Sequence, residues 1–191
     1  MSSIKLNFKI IIFGFIITFF SSFGQSFFIG LFNSNIRAEL NITHGQFGSI
    51  YALATLLSSF SLIWIGKKID DFKLINFSFF VIFLLFFSSI FFSLVDSIYF
   101  LFIGIFFLRL SGQGLMSHMA TTSISRFFSL NRGKALSISW LGLSLAEFVL
   151  PITMIFFLSI YSWRSIWISI GLFIVLFLPI LSFFTIRKIT F

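Results

Sequence analysis

Six apolar runs, each long enough to cross a bilayer, leave this chain few ways to fold. A hydrocarbon core about 30 Å thick needs about 20 apolar residues in helical form. The runs at about 8–32, 47–65, 74–95, 98–121, 135–160 and 165–186 meet that length. Short breaks separate them: NSNIRAELNITHG, GKKIDDFK, DS, SRFFSLNRGK and YSWR. The chain therefore reads as an all-α polytopic membrane protein, with one six-helix domain over residues 1–191. Its composition excludes an ordinary soluble domain, since 9% of residues are charged against about 25% in a typical soluble one.

The first run follows a basic opening, as a signal peptide's would, but its apolar character resumes after Gln25 and reaches Phe32. That length suits a spanning helix better than a cleaved leader. The net charge of +8 does not imply a nucleic-acid partner, because the basic residues cluster at helix ends and form no contiguous patch. With the N-terminus inside, Lys5, Lys9, Lys67, Lys68, Lys73, Arg126, Arg132, Lys134, Arg187 and Lys188 face the cytoplasm. Arg37 and Arg164 then face outward, and Arg109 stays within the membrane. The positive-inside rule thus predicts both termini cytoplasmic, and the expected location is a bacterial plasma membrane. There is no cysteine.

The spans differ in polarity. Spans 3 and 6 are the plainest and are suited to face lipid. Span 1 carries Gly14, Thr18, Ser21 or Ser22, and Gln25 along one stripe, and span 2 carries Gly48, Tyr51, Thr55 and Ser58 or Ser59. Small residues let helices pack closely, which accounts for the glycines and serines but not for the charges in spans 4 and 5. Arg109 lies 12 residues after Ser97, or about 18 Å, which puts it near the bilayer midplane. At 100° per residue Gln113 and Ser117 follow it along one polar stripe, with His118 on another face. A guanidinium fork is suited to a carboxylate or phosphate. Arg109, Gln113, Ser117 and Gln25 are therefore candidate cavity residues. The structural alternative is an arginine satisfied by helix-end carbonyls or by an internal acid.

In span 5, Ser137, Trp140, Ser144, Glu147 and Pro151 share a face. Glu147 is a candidate for the cavity, for proton transfer or for pairing with Arg109. It can equally be an acid exposed at a cavity mouth. His118 is the second proton-coupling candidate, with a packed or hydrated histidine as the alternative. Gly112, Gly114 and Gly142 are read as helix-packing positions, and Pro151 as the kink near the end of span 5. In GKKIDDFK, Gly66 stands at a helix exit with Asp70 four residues on, and Arg126 is a candidate partner for that acid.

These pieces resemble a known family. GKKIDDFKL is similar to the loop signature of the major facilitator superfamily: Gly, three residues, Asp, then Arg, any residue and Gly. Gly66 and Asp70 match it. Asp71 stands where the family usually has Arg or Lys, and Lys73 where it usually has Gly, a departure in the part that forms the family's cytoplasmic latch. RLSGQGLMSHMATTSISRFF, NRGKALSISWLGLSLAEFVLP and the pair Trp163–Arg164 resemble helices 4 and 5 of a bacterial branch. The resemblance implies the N-terminal six-helix half, itself a 3+3 repeat, of a twelve-helix carrier working by alternating access. It also implies that spans 1 and 4 line a cavity holding Arg109, that 2 and 5 flank it against the second half, and that 3 and 6 face outward.

The expected function is secondary transport of a small polar solute, with an anion favoured by Arg109. The expected partners are the bilayer, the solute and a second six-helix half, either missing from these 191 residues or supplied by a second copy. The alternative from another class is a non-transporting scaffold, accessory subunit or inactive remnant. No enzyme is expected, because the sequence has no metal-ligand constellation, no paired catalytic carboxylates and no nucleophile with an identifiable base. No cofactor or metal is called for, and no phosphate-binding motif points to ATP-driven transport.

Overall fold

The computed structural model describes residues 2–189. The side chain of Lys5 lies outside the described residues. No strand occurs among those described. Six candidate spans cover Phe8–Gly30, His44–Asp70, Leu74–Ser93, Ile98–Phe127, Arg132–Leu158 and Trp163–Ile186. Local chemistry marks several of their ends. Thr43 and Gln46 form a reciprocal capping box at the start of span 2 (Gln46 N to Thr43 Oγ1 3.2 Å, Thr43 N to Gln46 Oε1 2.8 Å), as Thr-x-x-Gln before an apolar run should. Asn41 and Asn131 take left-handed backbone conformations (φ 53° and 61°) next to helix ends, which asparagine tolerates better than most residues.

Two spans are not regular helices. Span 1 consists of α1 (Ser2–Ser21), a 3₁₀ turn (Ser22–Gly24), extended Gln25 (φ −81°, ψ 155°) and α2 (Ser26–Gly30). Small polar residues cluster at the break, and Ser21 Oγ donates to Thr18 O (2.7 Å), a local bond that competes with the helical ladder. Between spans 1 and 2, α3 (Asn33–Leu40) occupies what the sequence suggested was a plain loop. Span 2 is α4 (His44–Lys67) with a terminal 3₁₀ turn, and span 3 is α5 (Leu74–Ser93). Span 4 starts as α6 (Ile98–Leu108), widens into a π-helix over Arg109–Met116 and ends as α7 (Ser117–Phe127). Spans 5 and 6 are α8 (Arg132–Leu158) and α9 (Trp163–Ile186); α8 runs through Pro151 as one helix.

The main packing partners are span 3 with 6, 1 with 5, 2 with 4, and 1 with 4. Exchanging spans 1–3 with spans 4–6 maps this set onto itself, the signature of two three-helix units related by a pseudo-twofold axis. Small residues make the close crossings. Between spans 1 and 5, Thr18 Oγ1 donates to Ser139 O (2.5 Å), a Cβ on Gly14 would lie 2.6 Å from Ser139 Oγ, and one on Gly142 would collide with the Phe15 carbonyl. Between spans 3 and 6, Ser78 Oγ donates to Ser182 Oγ (3.0 Å), while Trp167 packs among Phe28, Phe32 and Phe92.

Burial differs from the ranking by polarity. Spans 1 and 4 are the most enclosed, at 56% and 50% of their apolar windows. Spans 3 and 6 follow at 44% and 39%, while spans 2 and 5 fall to 11% and 22%. Spans 3 and 6 are less peripheral than plain hydropathy suggested, because they bury one face of each against the other. Lipid tails are as apolar as leucine, so composition alone does not say which apolar face meets protein.

Gly142→Val should destabilise the bundle by about 1–3 kcal/mol, the range for overpacking. Gly133→Val, where a Cβ meets open space, should melt close to wild type. Thermal unfolding of both variants in detergent checks this, and equal melting temperatures would refute it.

Candidate functional site

The irregular segments of spans 1 and 4 meet each other. A Cβ on Gly112 would lie 2.6 Å from Gly24 N, and one on Gly24 would lie 2.5 Å from Gln113 N. Backbone rests on backbone here, and any side chain at either position would force the spans apart. The break in span 1 turns the Gly24 carbonyl toward span 4, where Arg109 Nη1 donates to it (3.0 Å) and to Ser26 Oγ (3.3 Å). Tyr51 of span 2 donates its hydroxyl to the same Ser26 Oγ (2.8 Å), and its ring centroid lies 5.2 Å from Arg109 Cζ. Spans 1, 2 and 4 thus converge on one guanidinium, which is 6% exposed.

That guanidinium is only partly used. Arg109 Nε is buried without a partner, and Nη2 donates to no described residue. Gln113 Oε1 and Ser117 Oγ on span 4 and Thr55 Oγ1 on span 2 are also buried without partners among the described residues. Gln113 and Ser117 follow Arg109 at successive turns, and Thr55 follows Tyr51. Buried polar atoms normally have partners; four without them lie on spans 2 and 4, and Ser22 Oγ in the break of span 1 and Trp167 Nε1 in span 6 are unpartnered as well among the described residues.

Other predicted residues lie elsewhere. Gln25 forms the extended link in span 1, half-buried and with no side-chain hydrogen bond to a described residue. Glu147 lies on the exposed face of span 5 with Ser144 and Phe148, and Arg109 has no acid beside it in this structure. Gly114 faces Leu62 of span 2, where a Cβ would make ordinary contact at 3.4 Å. At the far ends of spans 2 and 4, His118 Nε2 is 3.1 Å from Gly66 O, and Arg126 forms an ion pair with Asp70. A cavity of about 350 Å³ lies there, lined by Ser59, Gly66, Asp70, His118, Thr122 and Arg126 among others. Gly66, Asp70, Arg126 and His118 are therefore brought together, separately from the Arg109 cluster.

Sequence reasoning missed Gly24, Ser26 and Glu39. The first two had a signal in SSFGQS, a polar, glycine-containing break inside an apolar run. Glu39 had none beyond being an acid in a short connection. Its Oε1 accepts from Arg164 Nε (2.9 Å) and Nη2 (2.7 Å), and its Oε2 accepts from Trp163 Nε1 (2.7 Å). Arg164 also donates to Ser93 O and Val95 O (both 2.5 Å) at the end of span 3. Hydrogen bonding to Arg164, ahead of that to Trp163, holds the Glu39 carboxyl below the usual carboxylate range despite some opposing burial.

Six apolar spans arranged as two three-helix units, with a buried arginine where the inner spans cross, define a polytopic helical membrane protein. Residues 14–189 match the family model of the Major Facilitator Superfamily. The chain belongs to that superfamily, whose members are membrane transporters. Comparison with curated proteins and with solved structures returned no match.

The Glu39 cluster carries a pH prediction. Its folded pKa is depressed, so its contribution is present above the ordinary glutamate value, about 4.3, and is lost as pH falls through the lower folded value. Glu39→Gln should therefore lower the melting temperature at pH 7, and the gap to wild type should close in acid. A gap that stays constant from pH 7 to pH 3 would contradict this.

Proposed function

We propose that the chain serves as one six-helix half of a secondary carrier that moves a small polar, anionic solute by alternating access. Arg109 is its anchor. The observation that carries this reading is a mid-membrane guanidinium with one nitrogen committed to the fold and another buried without a partner. Charged groups at this depth are costly and usually functional, and capping the Gly24 carbonyl occupies only Nη1. Gln113, Ser117 and Gln25 provide further polar groups along the path. Glu147, on the exposed face of span 5, and His118, in the lining of the cavity at the far ends of spans 2 and 4, are the groups through which a proton could couple.

The second half fits the exposed faces of spans 2 and 5. Leu53, Leu56, Phe60 and Trp64 on span 2 and Leu141, Leu145 and Phe148 on span 5 are all exposed, and Glu147 and Ser144 stand among the latter. A polar-containing face is costly against acyl tails and suits contact with protein or a water-filled cavity. The ion pair between Asp70 and Arg126 would tie the ends of spans 2 and 4 together in one state of the cycle. The proposed setting is a bacterial plasma membrane with both termini in the cytoplasm.

Two measurements test these proposals. In membranes that also contain a second six-helix half, Arg109→Gln should reduce anion uptake about tenfold or more at equal expression, the scale of a lost charged hydrogen bond. Arg109→Lys should also be impaired, because an ammonium lacks the planar fork. Normal uptake by both variants would eliminate the anchor. Because the sequence has no cysteine, single cysteines at Ser129 and Thr43 report topology directly. An impermeant maleimide should label Thr43→Cys on intact cells and Ser129→Cys only after permeabilisation; the reverse pattern would invert the proposed orientation.

A further inference from the structure

Arg109 and the unpartnered atoms around it restrict the solute further than its being polar and anionic, on the footing of the carrier reading above. With Nη1 committed to Gly24 O and Ser26 Oγ, the unused side of the guanidinium is the Nε–Nη2 edge. Two parallel N–H bonds leave that edge, and a carboxylate accepts such a pair in its own plane. The Tyr51 ring, 5.2 Å from Arg109 Cζ, packs near the guanidinium as a cation–π partner. The next orphan along span 4 is Gln113 Oε1, an acceptor only. It requires an O–H or N–H donor from whatever sits there. Ser117 Oγ and Thr55 Oγ1, also orphaned, can donate or accept. One helical turn is about 5.4 Å, close to the spacing between a carboxyl carbon and a hydroxyl on the fourth carbon of a short chain.

Charge decides between the donors. The sequence has five acids, and none stands beside Arg109. Glu39 is bound by Arg164, Asp70 by Arg126 and Asp71 by Lys68. Asp96 is exposed in the connection between spans 3 and 4, and Glu147 is on the open face of span 5. An ammonium group on the solute would find no counter-charge in the buried row, and unpaired buried charge is strongly disfavoured. A phosphate dianion facing a single guanidinium would likewise leave a net buried charge. A monoanion with neutral donors leaves neither.

We propose that the solute is a short hydroxycarboxylate, its carboxylate on the Nε–Nη2 edge of Arg109 and a hydroxyl donating to Gln113 Oε1. Arginine-selective ¹⁵N NMR of the chain in lipid nanodiscs tests this, with the Arg109 Nε–H signal assigned by its loss in Arg109→Lys. The probes are 4-hydroxybutyrate against butyrate, D-gluconate against hexanoate, L-alanine, inorganic phosphate and glycerol. 4-Hydroxybutyrate or gluconate should move the Arg109 signal and bind about tenfold tighter than its hydroxyl-free counterpart, the scale of one buried hydrogen bond. Gln113→Leu should erase that advantage, so that the hydroxy acid and its hydroxyl-free counterpart bind equally. Gln113→Met, closer in volume, gives the same comparison where the leucine variant does not fold.

The proposal is overturned if phosphate or alanine binds as tightly as the hydroxy acids, if the hydroxyl confers no advantage, or if no anion moves the Arg109 signal. Glycerol binding that leaves the signal in place would sink the carboxylate while preserving a polar-solute carrier. Normal uptake by both Arg109 variants would instead remove the anchor reading itself.

Discussion

A carbonyl released by a broken helix inside a bilayer must find a donor, because no bulk water is there to supply one. Here the carbonyl belongs to Gly24 and the donor is Arg109 Nη1. Each solves the other's problem, since a mid-depth guanidinium also needs acceptors. The pairing depends on backbone contact between Gly24 and Gly112, so it depends on neither position carrying a side chain. The π-helix over Arg109–Met116 lies at that contact, in keeping with the tendency of such segments to occur at functional sites.

The same economy of small residues runs through the bundle. Gly142 lets span 1 lie against span 5, and Ser78 with Ser182 joins spans 3 and 6. Without a hydrophobic drive between helices in lipid, close packing and interhelical hydrogen bonds hold the units together. At the end where α3 lies, Arg164 stitches Glu39, Ser93 and Val95, joining α3, the end of span 3 and the start of span 6. At the other end Asp70 and Arg126 join spans 2 and 4. The two clusters sit at opposite ends of the bundle, with the part-used arginine between them.

The open faces of spans 2 and 5 and the row of orphan polar atoms have a common logic. On the proposed reading both find their partners outside the six helices, one face apolar with interspersed polar groups, the other a set of buried polar atoms. Under that reading, a half that offers Arg109 to the solute and the open faces of spans 2 and 5 to a second half can rock as a body, because neither contact requires it to deform.

Much of this was legible in the residues. Run length set the number of spans, since bilayer thickness is a one-dimensional constraint that a sequence window can be measured against. The loop pair Gly66 and Asp70 pointed to the superfamily, and Arg109 stood out because a charge at mid-depth is costly wherever the helix faces. What only the tertiary structure decided was who meets whom. The polar stripes of spans 4 and 5 looked alike on a helical wheel, yet half-buried Gln113 and Ser117 turn a buried oxygen inward on the span that carries Arg109, while Ser144 and Glu147 are exposed. Spans 3 and 6 were plain enough to face lipid and instead cover each other. The physical reason is that depth follows from position along the chain, whereas azimuth depends on neighbours. In a solvent as apolar as the core, hydropathy carries no information about azimuth.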